Sequence, residues 1–264
     1  MRNLKVVFDY IKYYFVSTNE HGLHSPFLFH LALNVIYLKH PFYEYEKLNE
    51  IRMQLLKSNE TIIFEDYGAG SNVFRGNKRR INEIAKHGIT NRKHAELLFR
   101  LVNHFQPENI LELGTSLGLT TMYLASASKK TKVFTIEGSK SLVEFAQKQF
   151  FENNFSNIEL INGNFNDQLP VVLDKLDKID FVFIDGNHEK NATIKYFNLL
   201  LSKSHEKTIM VFDDIHWSQG MNEAWNEIKK NEKVKISIDL FFMGIIIFRK
   251  EQREQEHFIL KNNF

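Results

Sequence analysis

The chain has 264 residues, of which 43% are hydrophobic and 25% charged, as in an ordinary globular protein of one large domain or one domain with an appendage. A formal net charge of +2 gives no whole-molecule argument for nucleic acid or an acidic surface as partner. Zero cysteines exclude disulfides, thiolate metal sites and cysteine nucleophiles. At the N-terminus, "MRNLKVVFDYIKYYFV" is apolar in patches but is interrupted by Asp9 and Lys12, and it lacks the continuous apolar core of a signal peptide. The longest apolar region, "LFFMGIIIF" at 240–248, is far too short to cross a bilayer. The expectation is a soluble, cytoplasmic protein with no membrane partner.

Residues 1–60 read as helical. "SPFLFHLALNVIYL" offers Ser25 as N-cap and Pro26 at the first helical position. "YEYEKLNEIRMQLLKSN" sets Tyr45, Leu48, Ile51 and Leu55 on one face. Residues 61–90 are less regular, and the basic run "RGNKRR" at 75–80 reads as solvated surface. The expected division is a helical N-terminal extension or cap over 1–90, a main domain over 91–250 and a charged tail over 251–264. Within the extension, "HGLHSPF" at 21–27 reads as a rigid turn and helix start, with a lid over an acceptor pocket as the sharper reading.

After an amphipathic helix at 91–105 the rhythm becomes strand, helix, strand, helix. Apolar runs at 109–113, 132–137, 157–163, 179–185 and 208–214 are separated by helical segments, which predicts a parallel sheet covered on both faces. After a helix at 219–230, "VKISIDLFF" and "GIIIFRK" are too close together for a parallel crossover and predict an antiparallel hairpin. Five parallel strands with a terminal antiparallel hairpin resemble the doubly wound, Rossmann-like sheet of class I S-adenosylmethionine-dependent methyltransferases.

Two glycine turns compete for a nucleotide. "FEDYGAGS" at 64–71 is followed by no packed helix, whereas "LELGTSLG" at 111–118 runs into "LTTMYLASA" as a βαβ unit requires. The second has serine where a dinucleotide fingerprint needs a glycine, at Ser116. Its form, Glu112-x-Gly114-x-x-x-Gly118, resembles the methyltransferase loop, which implies that Gly114, Thr115, Ser116 and Gly118 bring backbone to the methionine moiety of S-adenosyl-L-methionine and that Glu112 lies near its amino group. Glu137, at the tip of the next strand, is an acid placed to accept both ribose hydroxyls. Asn164 is a candidate for the adenine edge and Phe165 for its face, with core packing an equal reading for Phe165.

Asp185 ends the fourth main-domain strand in "FIDGNHEK", and Asp213 and Asp214 end the fifth in "VFDDIHW". Carboxylates gathered at strand ends repel one another unless a cation or donor compensates, and a hard divalent ion, Mg2+ or Ca2+, would take such oxygen ligands. The pattern is similar to cation-dependent, catechol-type O-methyltransferases over about residues 91–250, with Asp214 where that family has an amide. The resemblance implies a metal at Asp185, Asp213 and Asp214, contact of Asp185 with the cofactor, and His188 as the base, three residues after Asp185, where that family has lysine. The other readings are Asp185 bonding cofactor or substrate without metal, Asp213 capping the following helix, and His188 as an N-cap or surface residue of the next helix. Lys190 and His216 are weaker candidates for the base. Trp217 reads equally as a pocket wall and as packing.

The expected activity is metal-assisted O-methylation of a small hydroxylated molecule. The alternative is a non-catalytic or protein-directed S-adenosylmethionine-binding module that uses the N-terminal helices as a partner surface. A nucleic-acid methyltransferase is disfavoured, because "DGNH" stands where such enzymes carry an Asn-Pro-Pro-Tyr-type motif. By analogy with helical extensions on this fold, the N-terminal helices are also candidates for a homodimer contact.

Overall fold

A computed structural model describes residues 2–63 and 78–262, so the glycine turn at 64–71 and part of the basic run at 75–80 lie outside the described residues. The chain forms two compact units, Met1–Lys39 with Leu176–Phe264, and His40–Lys175.

The first unit opens with helix α1 (Arg2–Val16) and the short helix α2 (Pro26–Leu31), which continues as one π-turn over Ala32–Ile36. Ser25 is the N-cap of α2, and Pro26 occupies the first turn as the sequence predicts, although no side-chain bond closes that cap.

The second unit contains α3 (Tyr43–Lys57), β1 (Thr61–Ile63), β2 (Lys78–Arg80), α4 (Ile81–His87), α5 (Arg92–Phe105), β3 (Asn109–Leu113), α6 (Leu119–Ser126), β4 (Lys132–Glu137), α7 (Lys140–Glu152), β5 (Ile158–Asn162) and α8 (Phe165–Asp174). Strands β3, β4 and β5 are parallel, with Leu113 beside Ile136 and Glu137 beside Asn162. The stripe Tyr45, Leu48, Ile51 and Leu55 is buried as its spacing predicts, and it joins Phe99, Met122, Tyr123 and Phe150 in one core. Thus α3, expected in an N-terminal extension, is part of the unit that holds the glycine loop. Helix α6 is buried along nearly its whole length, which explains its lack of amphipathic pattern.

The chain then returns to the first unit through β6 (Ile179–Ile184), α9 (Lys190–Leu200), β7 (Ser204–Asp213), α10 (Gln219–Lys229), β8 (Ile236–Asp239), β9 (Met243–Ile247) and β10 (Glu256–Ile259). Strands β6 and β7 are parallel, and β9 runs antiparallel to both β7 and β8, so the expected terminal hairpin is present. The α/β, Rossmann-like class expected from the sequence is the class observed. The segment expected as a charged tail contains β10, which pairs parallel with β8. An isolated bridge joins Thr18 to Leu260, and the Tyr13 hydroxyl donates to the Leu260 carbonyl, so the end of α1 and the C-terminal strand are tied together. Gly244 lies flat beneath Trp225, where a Cβ would come within 2.6 Å of the indole ring.

Candidate active site

In the second unit, β3 runs directly into the glycine loop. Gly114 and Gly118 have φ of 107° and 80°, values open to glycine and costly for a residue with a Cβ. Gly118 is also pressed against α7: a Cβ there would lie 2.6 Å from Phe150 Cε1. Ser116 sits between them at φ 49°. Its backbone N–H donates to Glu137 Oε2 at 2.9 Å, and its hydroxyl donates to the Gly88 carbonyl at 2.9 Å. The other oxygen of Glu137 accepts from the Ser139 N–H at 2.9 Å. Two backbone donors therefore fix the Glu137 carboxylate at the end of β4, ahead of the N-terminus of α7, where a negative charge is favoured.

Glu112 is fully buried. Its Oε2 accepts from Thr121 Oγ1 at 2.5 Å and Thr135 Oγ1 at 2.6 Å, and Thr135 is bonded in turn to Thr115 at 2.6 Å. These hydroxyls tie β3, β4, α6 and the loop into one network. The sequence gives no signal for it beyond the threonines themselves, because the partners are 9 and 23 residues away. Asn164 is the N-cap of α8, with its side-chain oxygen accepting from the Asn166 N–H at 2.8 Å, and Phe165 beside it is half-buried.

In the first unit, Asp185 follows β6, and Asp213 and Asp214 stand at the end of β7. Burial first, then the charges of Asp185 and Asp214, hold the Asp213 carboxyl well above the usual carboxylate range. Burial also raises Asp214; His188 opposes that rise and Asp185 adds to it. His188 Nε2 lies 3.6 Å from Asp185 Oδ1, within ion-pair range but long for a hydrogen bond, and both side chains remain partly accessible. The structure thus brings together Asp185, His188, Asp213 and Asp214, the residues singled out from the sequence. Carboxylate oxygens are the donor type that a hard divalent cation takes. In the arrangement described, no group of three or more histidine, aspartate or glutamate side chains forms a metal cage among the described residues.

The weaker base candidates are otherwise engaged. His216 has both ring nitrogens occupied, Nδ1 by Asn222 and Nε2 by Asp239 at 2.8 Å, and its ring stacks on Phe241. Burial works against its charged form, but the bond and charge of Asp239 outweigh that and raise its pKa. Asp239 also accepts from Trp225 Nε1 at 3.3 Å and from the Phe241 N–H at 2.8 Å, so this pair holds the loop after β7 to the β8–β9 turn. Lys190 forms a surface ion pair with Glu223 at 2.7 Å. Trp217 is about half-exposed.

Residues 111–215 match the family model of a methyltransferase domain. A catechol O-methyltransferase from Niastella koreensis is 31% identical over 113 residues, covering 42% of this chain and 50% of the relative. The O-methyltransferase hkm8 of Aspergillus hancockii is 26% identical over 126 residues, covering 46% and 49%. The chain therefore spans about half the length of these curated relatives. In structure it is similar to an O-methyltransferase from Bacillus cereus solved with S-adenosylhomocysteine, with a TM-score of 0.54, 19% identity, and coverage of 80% of this chain and 93% of the other. At that identity the likeness shows the fold. Among the described residues no helix is long and apolar enough to cross a membrane.

Proposed function

We propose that this chain, whose residues 111–215 match a methyltransferase domain, is an S-adenosylmethionine-dependent O-methyltransferase that acts on a small hydroxylated acceptor in the cytoplasm. One observation carries the reading: the matched segment begins at the glycine loop and ends just beyond the acid pair, so it contains every cofactor and acid residue singled out above.

Methyl transfer is an in-line displacement. An acceptor oxygen bonds to the sulfonium methyl carbon, the carbon–sulfur bond breaks with its electron pair going to sulfur, and the acceptor proton must leave. Glu137, already oriented by two N–H donors at the end of β4, would take the ribose hydroxyls. The backbone of Gly114–Gly118 would border the methionine moiety, with buried Glu112 supporting it through Thr121 and Thr135. Asn164 and Phe165 would meet the adenine. His188 would take the acceptor proton, and the Asp185 carboxylate 3.6 Å away would stabilise the imidazolium so formed. The finer part of the reading is a divalent cation that Asp185, Asp213 and Asp214 would hold and that would supply Lewis acidity to an acceptor hydroxyl.

Titration calorimetry with S-adenosylhomocysteine, with and without magnesium, tests this. Binding lost in Glu137→Ala and retained in Asp185→Asn supports the cofactor assignment. Failure of the wild-type protein to bind in either condition overturns the proposal.

A further inference from the structure

Helix α1 shows water a face that is as apolar as a core. Tyr13 and Ser17 on one side are buried, whereas on the other Val7, Phe8, Ile11, Tyr14, Phe15 and Val16 are exposed, Phe15 to 81% and Val16 to 64%. The stripe follows the three-and-four spacing of a helix face and is continued by Tyr10 and Phe242, whose rings are 6.3 Å apart. Taking about 200 Å2 for a whole aromatic side chain and about 100 Å2 for an aliphatic one, these eight residues expose roughly 700 Å2 of apolar surface. That exceeds the ~300–600 Å2 of the largest patch on a typical monomer and approaches the ~800 Å2 that each partner buries in a standard interface.

We propose that this face is a two-fold interface with a second copy of the same chain, with the α1 helices antiparallel and Ile11 at the axis. The sequence is self-complementary about that point. Four residues before Ile11 stands the small Val7 and four after it the large Phe15, so antiparallel pairing sets Val7 of one copy against Phe15 of the other, and Phe8 against Tyr14. A two-fold contact requires this reciprocity, and alternating small and large side chains fill the space between helices. Two cations border the stripe, Lys12 Nζ over the Phe8 ring at 4.4 Å and Lys261 Nζ over the Tyr14 ring at 5.3 Å, and pairing of Phe8 with Tyr14 requires both long side chains to swing out to the rim. The inference does not rest on the methyltransferase reading.

The absence of cysteine makes the test clean. Ile11→Cys introduces one thiol at the axis, and Tyr43→Cys introduces one at a position 96% exposed and outside the stripe. Mild oxidation should convert Ile11→Cys to a covalent dimer much faster than Tyr43→Cys. Sedimentation of the full-length wild-type chain should give twice the 31.2 kDa monomer mass, and Phe15→Lys should shift it to monomer with an unchanged circular dichroism spectrum. A monomeric wild type, equal cross-linking of the two thiols, or flotation of the protein with phosphatidylglycerol vesicles would each overturn the proposal.

Discussion

Replacing Gly118 by alanine places a methyl group where the structure has neither conformational nor steric room. At φ 80° and ψ 0° an L-residue costs about 1–2 kcal/mol more than glycine. The added Cβ also meets Phe150 at 2.6 Å and 2.9 Å and Ala146 at 3.3 Å. Phe150 is 2% exposed and sits in the core beside Met122 and Tyr123, so its ring has little freedom to withdraw, and overpacking of this kind costs about 1–3 kcal/mol. The two contributions together predict a loss of about 2–5 kcal/mol. They can be separated, because Phe150→Leu removes the obstructing ring atoms and leaves the backbone strain.

The assay is a double-mutant cycle read by urea unfolding with circular dichroism. In the Phe150→Leu background, Gly118→Ala should cost only about 1–2 kcal/mol, a coupling of about 2 kcal/mol between two residues 32 positions apart. The same cycle read by S-adenosylhomocysteine affinity should show weak binding for Gly118→Ala and partial recovery in the double variant, because the loop is displaced by the clash. Additivity within about 0.5 kcal/mol would refute the steric argument.

Glu137→Ala leaves the N–H groups of Ser116 and Ser139 without their charged acceptor; we expect at least a tenfold loss of S-adenosylhomocysteine affinity by calorimetry and a stability loss of about 2 kcal/mol. His94 is pushed down to about 4, by burial first and the Lys93 charge second, so between that value and 6.5 the unfolded chain binds a proton that the folded chain refuses. Stability is then intact above pH 6.5 and falls as pH drops toward 4, by up to about 3 kcal/mol, and His94→Gln should flatten the pH dependence of the melting temperature in that window. Magnesium at about a hundred times its dissociation constant should stabilise the wild type by about 2.7 kcal/mol in thermal melts and leave Asp185→Asn unmoved; equal shifts in both would place the ion elsewhere.

The sheet was legible because buried parallel strands are continuous apolar runs, and runs such as "NILEL" and "KVFTIE" end within a residue or so of the observed strands. The cofactor loop was legible because its geometry needs glycine at two defined positions and an apolar helix after them. Strand β10 was not. Its four residues follow "EQREQ", and it is a strand only because β8, some twenty residues earlier in the chain, offers an edge. Local pattern carries no information about such an edge. For the same reason the His216–Asp239 pair escaped notice, since the hairpin that brings Asp239 back to His216 is a tertiary event.

Backbone strain was hidden too, and it says something the residue types do not. Six non-glycine residues among those described have positive φ; Gln106 and Asn154 close helices, but Ser116, Asn187, Asp214 and Phe241 all lie in loops that follow strands. Each such conformation costs on the order of 1–3 kcal/mol and persists only where the surroundings impose it. At Ser116 they do so through Glu137 and Gly88, at Asn187 through the Tyr196 hydroxyl 3.1 Å away, and at Phe241 through Asp239. A chain under selection for stability alone has an inexpensive remedy, glycine, which occupies Gly114 and Gly118 in the same kind of position. That side chains are kept at Ser116, Asn187 and Asp214 despite the cost is what a site needs when it must aim side chains, and it is the reason to look for chemistry at these strand ends before looking anywhere else on the surface.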